Sequence, residues 1–273
     1  MQIIKSDGKV ANFDEARLAR ALDRARVDKA ITQEIMIDIT KLVRPGTSTQ
    51  LIHDRVLHTL EARDLTAAAR FNLKHAMLNL GPSGFPFEQY FARLMQAYGW
   101  HTQVGATVPG RCVEHEVDIY ASRTGDKKRA IEAKYHNVAG GRTDVKVALY
   151  VHARHEDLTA RDPDIQGALV TNTQFTQDAI LYGECVGMKM KAWNYPLNEG
   201  LAKYIEEKQL YPITVFSRLS PHVLSVLLQN GIVLASQLCH VTESDAARMM
   251  IVPASLQELR THAMKLCASD SSS

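Results

Sequence analysis

The stretch VEHEVDIYASRTGDKKRAIEAKYH, residues 113–136, contains two alternating segments joined by a short polar link. In the first segment Asp118 lies on the face opposite to the apolar residues, and in the second segment Glu132 and Lys134 do the same. A period of two is typical of half-buried strands, and a short link that contains glycine favours a hairpin. If the hairpin is symmetric about Gly125, Asp118 lies directly opposite Glu132.

This register makes Asp118 and Glu132 a pair of facing carboxylates with Cβ atoms about 5 Å apart. Facing like charges repel each other, and a cation bound between them removes that cost. Mg²⁺ or Mn²⁺ takes oxygen ligands and keeps several waters, so the two carboxylates and the backbone carbonyl of Ala133 are enough to hold it. Lys134 lies on the same face and can position the attacking water or hold a phosphate. The pattern therefore predicts a site for a divalent cation.

Two carboxylates and a lysine on one side of a hairpin resemble the metal-dependent site of the PD-(D/E)xK nuclease superfamily. Upstream, the stretches GFPFEQYF, residues 84–91, and AYGW, residues 97–100, resemble the opening of the Mrr-type type IV restriction endonucleases. The resemblance implies an α/β fold, with a restriction-endonuclease-like αβββαβ core around a mixed sheet. It also implies cleavage of DNA, and it adds Glu88 to the acidic residues of the site.

Two features near this site have more than one interpretation. Glu116 shares the face of Asp118, and it is either a second ligand or a solvent-side acid; we favour the second. The polar residues 171–175 follow an apolar strand and either contact phosphate or cap the next helix. We favour capping. Residues 105–111, between the first predicted strand and the hairpin, are expected to form a loop.

The first 80 residues predict a two-stranded hairpin with its turn at residues 6–9, followed by four helices. The segment resembles the ATP-cone, a nucleotide-binding regulatory module. The residues that carry the resemblance are IIKSDG (3–8), FD (13–14), ARLARAL (16–22) and TQLIH (49–53).

The ATP-cone resemblance implies a site for ATP or dATP. By position, it places Lys5 and Arg17 near the phosphates, and Thr49 and His53 near the bound nucleotide. Charged donors of this kind suit phosphate oxygens.

The stretch GPSGFP, residues 81–86, is typical of a linker. We therefore expect a nucleotide-binding domain at residues 1–82, a nuclease domain at 83–208 and a helical module at 209–273. In the last module, a helix, a turn at Gly231 and a second helix over 233–238 resemble a helix-hairpin-helix element that binds the DNA backbone. A structural cap or a dimerisation element explains the same pattern, and we favour it.

Charge, cysteine spacing and the distribution of apolar residues limit the kinds of protein that this chain can be. The net charge is only +2, but residues 123–161 contain nine Lys or Arg against five Asp or Glu, which fits either DNA contact or a solvated face. The four cysteines stand far apart and show no zinc spacing. The sequence has no signal peptide and no apolar run long enough to span a membrane, so we expect a cytoplasmic protein.

These observations lead to one expected function and two alternatives. We expect a Mg²⁺-dependent deoxyribonuclease controlled by ATP or dATP on the N-terminal domain. One alternative is a nucleotide-sensing DNA-binding regulator that does not cut, and the other is an RNA-directed nuclease of the same fold. Cleavage of both DNA strands by one site per chain calls for a homodimer.

Overall fold

The computed structural model describes residues 1–5, 8–217 and 219–268. Ser6 and Asp7, which belong to the predicted first turn, therefore lie outside the described residues. Among the described helices, none is long and apolar enough to cross a membrane.

The N-terminal unit contains three short strands and four helices. They are β1 (Gln2–Ile4), β2 (Val10–Asn12), α1 (Glu15–Arg24), α2 (Lys29–Leu42), β3 (Thr47–Ser48), α3 (Thr49–Arg63) and α4 (Leu65–Leu78). The strand order is β2-β1-β3, so the expected two-stranded element has a third strand, parallel to β1. The two residues of β3 are too few for a period of two to show in the sequence. Side chains of Asp14, Asp28, Ser48 and Asp64 cap the four helices.

The middle unit is built on a five-stranded sheet. Its elements are α5 (Phe85–Ala97), β4 (His101–Pro109), β5 (Glu114–Ser122), β6 (Lys128–Lys134), β7 (Arg142–Thr143), α6 (Val145–Arg161), β8 (Ile165–Thr171), β9 (Gln174–Phe175), α7 (Gln177–Cys185), β10 (Lys189–Lys191) and α8 (Leu201–Glu207). The order in the large sheet is β10-β8-β6-β5-β4. Strands β4, β5 and β6 are antiparallel, whereas β6, β8 and β10 are parallel. The expected αβββαβ order and the mixed sheet are both confirmed.

Helices cover both faces of this sheet. Phe87 and Leu94 of α5 pack in one cluster with Val170 of β8, and α6 and α7 pack in another cluster with the adjacent Leu169. Because neighbouring residues of a strand point to opposite faces, β8 is buried on both sides. The central strands are therefore fixed between two helical layers.

Strand β4 corrects the predicted loop at residues 105–111. The strand continues to Pro109, because Ala106 and Val108 are buried and stay in register with β5. Gly105 alone leaves the ladder, with φ +63°, at the position that the register places opposite Asp118. No atom lies within 4 Å of the point where a Cβ of residue 105 would stand.

The C-terminal segment is helical. It contains a 3-10 helix at Ile213–Val215, α9 (Pro221–Gln229), a second 3-10 helix at Ala235–His240, α10 (Glu243–Arg248) and α11 (Pro253–Ala268). The second helix expected over residues 233–238, after the turn at Gly231, is present as the 3-10 helix at Ala235–His240, two residues further along the chain. Gln237 folds back on this turn, since its Oε1 accepts the N–H groups of Val233 and Leu234 and its Nε2 donates to the carbonyl of Gly231.

Helix α4 joins the N-terminal unit to the rest of the chain. Asn72 Nδ2 donates to the carbonyl of Val215 over 3.0 Å, and Thr214 Oγ1 donates to the carbonyl of Ala76 over 2.8 Å. Leu73 is buried in the same cluster as α5 and the C-terminal helices. The boundaries at 1–82, 83–208 and 209–273 stay predictions.

Candidate active site

The hairpin has the register that is symmetric about Gly125. Ile119 pairs with Ile131, and the next step along the ladder places Asp118 opposite Glu132. Asp118 Oδ2 also accepts the backbone N–H of Ala133 over 2.7 Å. The paired residues of the ladder end at Ile119 and Ile131, so the direct pairing of Asp118 with Glu132 stays a prediction, and one oxygen of Asp118 is engaged across the strands by Ala133.

Glu132 is the most buried acid of the site and contacts two cations. It is 4% exposed, and its Oε2 accepts Arg154 Nη1 over 2.8 Å, while Lys134 Nζ contacts Oε1. The side chain of Tyr150 also lies near enough to this carboxylate to lower its pKa. Burial alone would raise the pKa of Glu132, but these hydrogen bonds and the two positive charges outweigh burial and lower the pKa.

The pKa values of Asp118 and Glu88 are raised, whereas the pKa of Glu132 is lowered. Burial raises the pKa of Asp118; the N–H of Ala133 partly offsets this and the charge of Glu132 adds to it. Burial, followed by repulsion from Asp118 and Glu132, raises the pKa of Glu88 to about 7. Helix α5 therefore places Glu88 close enough to the pair to sense its charge. Glu116 is exposed on β5, which agrees with the solvent-side interpretation.

The donor atoms fit a hard divalent cation with few protein ligands. The described part of the chain contains no cluster of three or more His, Cys, Asp or Glu side chains placed to hold a metal ion. Two carboxylates and a backbone oxygen are nevertheless enough for Mg²⁺, which keeps several waters. Burial raises the pKa of Asp118 and of Glu88, and the neighbouring carboxylates add to the effect, so a cation held here would lower both pKa values. The ligand set of Asp118, Glu132 and the Ala133 carbonyl stays a prediction.

The raised pKa of Glu88 makes the stability of the metal-free protein depend on pH. Its folded-state pKa of about 7 exceeds the ordinary 4.5, so between these values the folded protein binds more protons than the unfolded chain. The free energy of unfolding therefore falls as the pH rises through this window. Glu88→Gln should make this fall in the free energy of unfolding smaller by about 1–2 kcal/mol, after allowance for the partial exposure of the side chain. Urea unfolding of both proteins in EDTA at pH 5 and pH 8 measures the difference, and equal pH dependence would contradict the assignment.

Arg154 and Tyr150 were not predicted as site residues. They lie four residues apart on α6 and thus on one face of that helix, which the structure turns towards Glu132. Their spacing is visible in the sequence, but nothing in the sequence links α6 to the hairpin. In the sequence, Arg154 is only one of the nine cations of the basic segment at residues 123–161.

Residues 171–173 have a different role from the expected helix cap. The cap of α7 is Thr176, whose side chain accepts the N–H of Ala179. Asn172 is instead buried, and its Oδ1 accepts the N–H of His136 over 2.9 Å. The end of β8 therefore fixes the backbone just after Lys134.

The N-terminal unit brings two of its predicted nucleotide residues together. Ile4 pairs with Ser48 in parallel strands, so Lys5 and Thr49 follow at the same sheet edge, with Thr49 opening α3. A helix N-terminus favours bound anions. His53 lies one turn further along α3. Among the described residues, no contact joins Arg17 on α1 to the other three, and all four assignments stay predictions.

Comparisons with known proteins identify two domains in this chain. Residues 1–77 match the ATP cone domain, and residues 81–195 match a restriction endonuclease domain of the Mrr catalytic type. An uncharacterized protein of Archaeoglobus fulgidus is 34% identical over 175 residues, which cover 64% of this chain and 98% of that protein. A crystal structure of a protein of unknown function is similar with a TM-score of 0.60 and 32% identity, over 68% of this chain and all of that one.

The fold and the hairpin define a restriction-endonuclease-like protein. The chain contains an ATP cone domain followed by a restriction endonuclease domain of the Mrr catalytic type, and it belongs to the same family as the Archaeoglobus fulgidus protein.

Proposed function

We propose that this protein is a divalent-metal-dependent endonuclease that hydrolyses DNA phosphodiester bonds. The observation that supports this most is the facing pair Asp118 and Glu132, with Lys134 at the same carboxylate, inside a restriction endonuclease domain. Burial raises the pKa of Asp118 and the charge of Glu132 adds to this, so a bound cation would favour the ionised form of Asp118.

Each residue has a defined part in the proposed reaction. A bound Mg²⁺ or Mn²⁺ supplies Lewis acidity and a water of lowered pKa. Asp118, Glu132 and the carbonyl of Ala133 would hold it. Lys134 orients the attacking water or a phosphate oxygen, and Arg154 keeps the buried Glu132 ionised and in place.

The proposed substrate and effector follow from the two domains. Arg142 and Lys146 are exposed at the N-terminal end of α6 and would contact the DNA backbone. Other cations of the same segment are already paired, Arg123 with Asp126 for example, so local DNA contact depends on a few residues. ATP or dATP on the cone would control cleavage, and two chains would be needed to cut both strands.

A cleavage panel tests this proposal. The full chain is incubated with plain, methylated and branched DNA and with RNA of the same sequences, in Mg²⁺, Mn²⁺ or EDTA, with and without ATP. Cleavage of at least one DNA that requires the metal is the expected result. Faster cleavage of RNA would assign the site to RNA. Specific DNA binding without cleavage in either metal would instead support the alternative function, a nucleotide-sensing DNA-binding regulator.

A further inference from the structure

Helix α4 of the ATP cone ends against the residues that follow the proposed catalytic lysine. The carbonyl of Leu78 accepts the Tyr135 hydroxyl over 2.6 Å, and the carbonyl of Met77 accepts Asn172 Nδ2 over 3.1 Å. The last carbonyls of a helix have no partner within it, so these two side chains complete the end of α4. Tyr135 directly follows Lys134 in the chain, and the cone is thus bonded to the active-site strand.

Asn172 extends this connection to the next residue of the hairpin. Its amide also donates to the carbonyl of His136 over 2.8 Å, and its Oδ1 accepts the N–H of the same residue over 2.9 Å. The side chain is 1% exposed, so none of these bonds is readily replaced by water. Asn172 therefore clamps the backbone of His136 to the carbonyl of Met77.

The same helix touches the predicted nucleotide region of the cone. The His53 ring stacks on Phe71 with centroids 5.3 Å apart and lies 4.8 Å from the ring of His75. Neither ring nitrogen of His53 has a hydrogen-bond partner among the described residues, although both are buried. Its nearest carboxylate oxygen, on Asp54, is 3.6 Å from Nδ1. His75 precedes Met77 by two residues, so the contact to His53 and the contacts to the hairpin lie within one turn of α4.

We propose that α4 transmits nucleotide occupancy of the cone to the active site, and that Tyr135 and Asn172 are the positioning residues that receive it. The inference rests on the proposed function and deepens it. A nucleotide that moves or orders His53 shifts the helix packed against it, and the helix end shifts residues 135 and 136 with Lys134. Coupling needs one structural element whose arrangement both sites bias, and α4 meets this need because it packs against His53 and is hydrogen-bonded to Tyr135 and Asn172.

The test uses the full chain and two variants that each remove one bond to α4. Tyr135→Phe removes the hydroxyl from Leu78, and Asn172→Ala removes the clamp; the first is mild enough to fold if the second does not. Tyr98→Phe is the matched control, because it also deletes the bonds of a hydroxyl, to the carbonyl of Tyr204 over 3.0 Å and to Glu207 over 3.1 Å, and neither of these bonds joins α4. ATP binding is measured by calorimetry, and amide hydrogen exchange of residues 134–137 is measured with and without ATP.

In the wild type and in Tyr98→Phe, ATP should change exchange at residues 134–137 by about fivefold or more, the lower range of site-to-site coupling. In Tyr135→Phe and Asn172→Ala, ATP should still bind while this change falls to less than about twofold. If DNA is cleaved, the ATP response of kcat should fall in parallel, with KM for DNA unchanged.

Several results would overturn the coupling: ATP that does not bind, ATP that binds without changing exchange at residues 134–137, or an equal change in all variants. The exchange measurement is independent of catalysis. A protein that shows the exchange effect and cuts nothing would therefore disprove the nuclease proposal and leave the coupling intact.

Discussion

Replacing Asp118 by Asn should lower metal-dependent DNA cleavage by about a thousandfold or more. The substitution keeps the shape of the side chain but removes the charge that would bind the cation, and metal stabilisation of a phosphoryl transition state is worth several kcal/mol. Steady-state kinetics in Mg²⁺ and Mn²⁺ measure the loss. DNA binding should be kept or improved, because one negative charge leaves a surface that faces phosphates.

The folded protein should tolerate this change. Since the pKa of Asp118 is raised, its neutral form is favoured in the fold, and Asp118→Asn should raise the melting temperature in EDTA at pH 8. Glu114→Gln is the matched control: it removes an exposed carboxylate from the same strand and should leave cleavage unchanged. Activity in Asp118→Asn within about tenfold of the wild type would place the metal site elsewhere, because loss of a metal ligand costs far more than that.

The core of the site was predictable because it depends on local geometry. Two alternating segments around one glycine-containing link allow a single symmetric register, and that register places Asp118 opposite Glu132. The same reasoning located the αβββαβ order, since each element has its own periodicity. It misplaced the end of β4, because Gly105 is a break in a pattern that Ala106 and Val108 then resume.

The rest of the site depends on contacts between distant segments, which periodicity does not encode. Arg154 meets Glu132 because α6 packs over the hairpin, and Asn172 meets His136 because β8 pairs beside β6. The hydrogen bond from Tyr135 to Leu78 connects the two sides of residues 81–86, which the sequence predicts to be a linker. A composition of Gly and Pro predicts a turn there, and it says nothing about the hydrogen bonds that span the turn.

Replacing Arg154 is expected to cause a large loss of stability. Arg154→Met should lower the free energy of unfolding by about 2–3 kcal/mol, because it leaves the buried Glu132 with Lys134 as its remaining cation. The loss should be greatest near neutral pH. The pKa of Glu132 is lowered in the fold, so its contribution to stability is present above the ordinary value of 4.5 and disappears as the pH falls through the lower folded value. Urea unfolding at pH 7 and pH 4 measures both statements.

A second ion pair of the same chemistry provides the control for Arg154. Arg55 Nε lies 2.6 Å from Asp38 on the surface of the cone, where both side chains are well exposed. Arg55→Met should therefore cost less than about 1 kcal/mol. Adding Glu132→Gln to Arg154→Met should restore most of the lost stability, since no buried charge is then left without its partner. If the single change at Arg154 costs no more than the change at Arg55, the ion pair with Glu132 contributes little to stability. If the double variant is as unstable as the single one, Arg154 stabilises the fold by packing and not by its charge. In that case Lys134 alone holds Glu132 ionised.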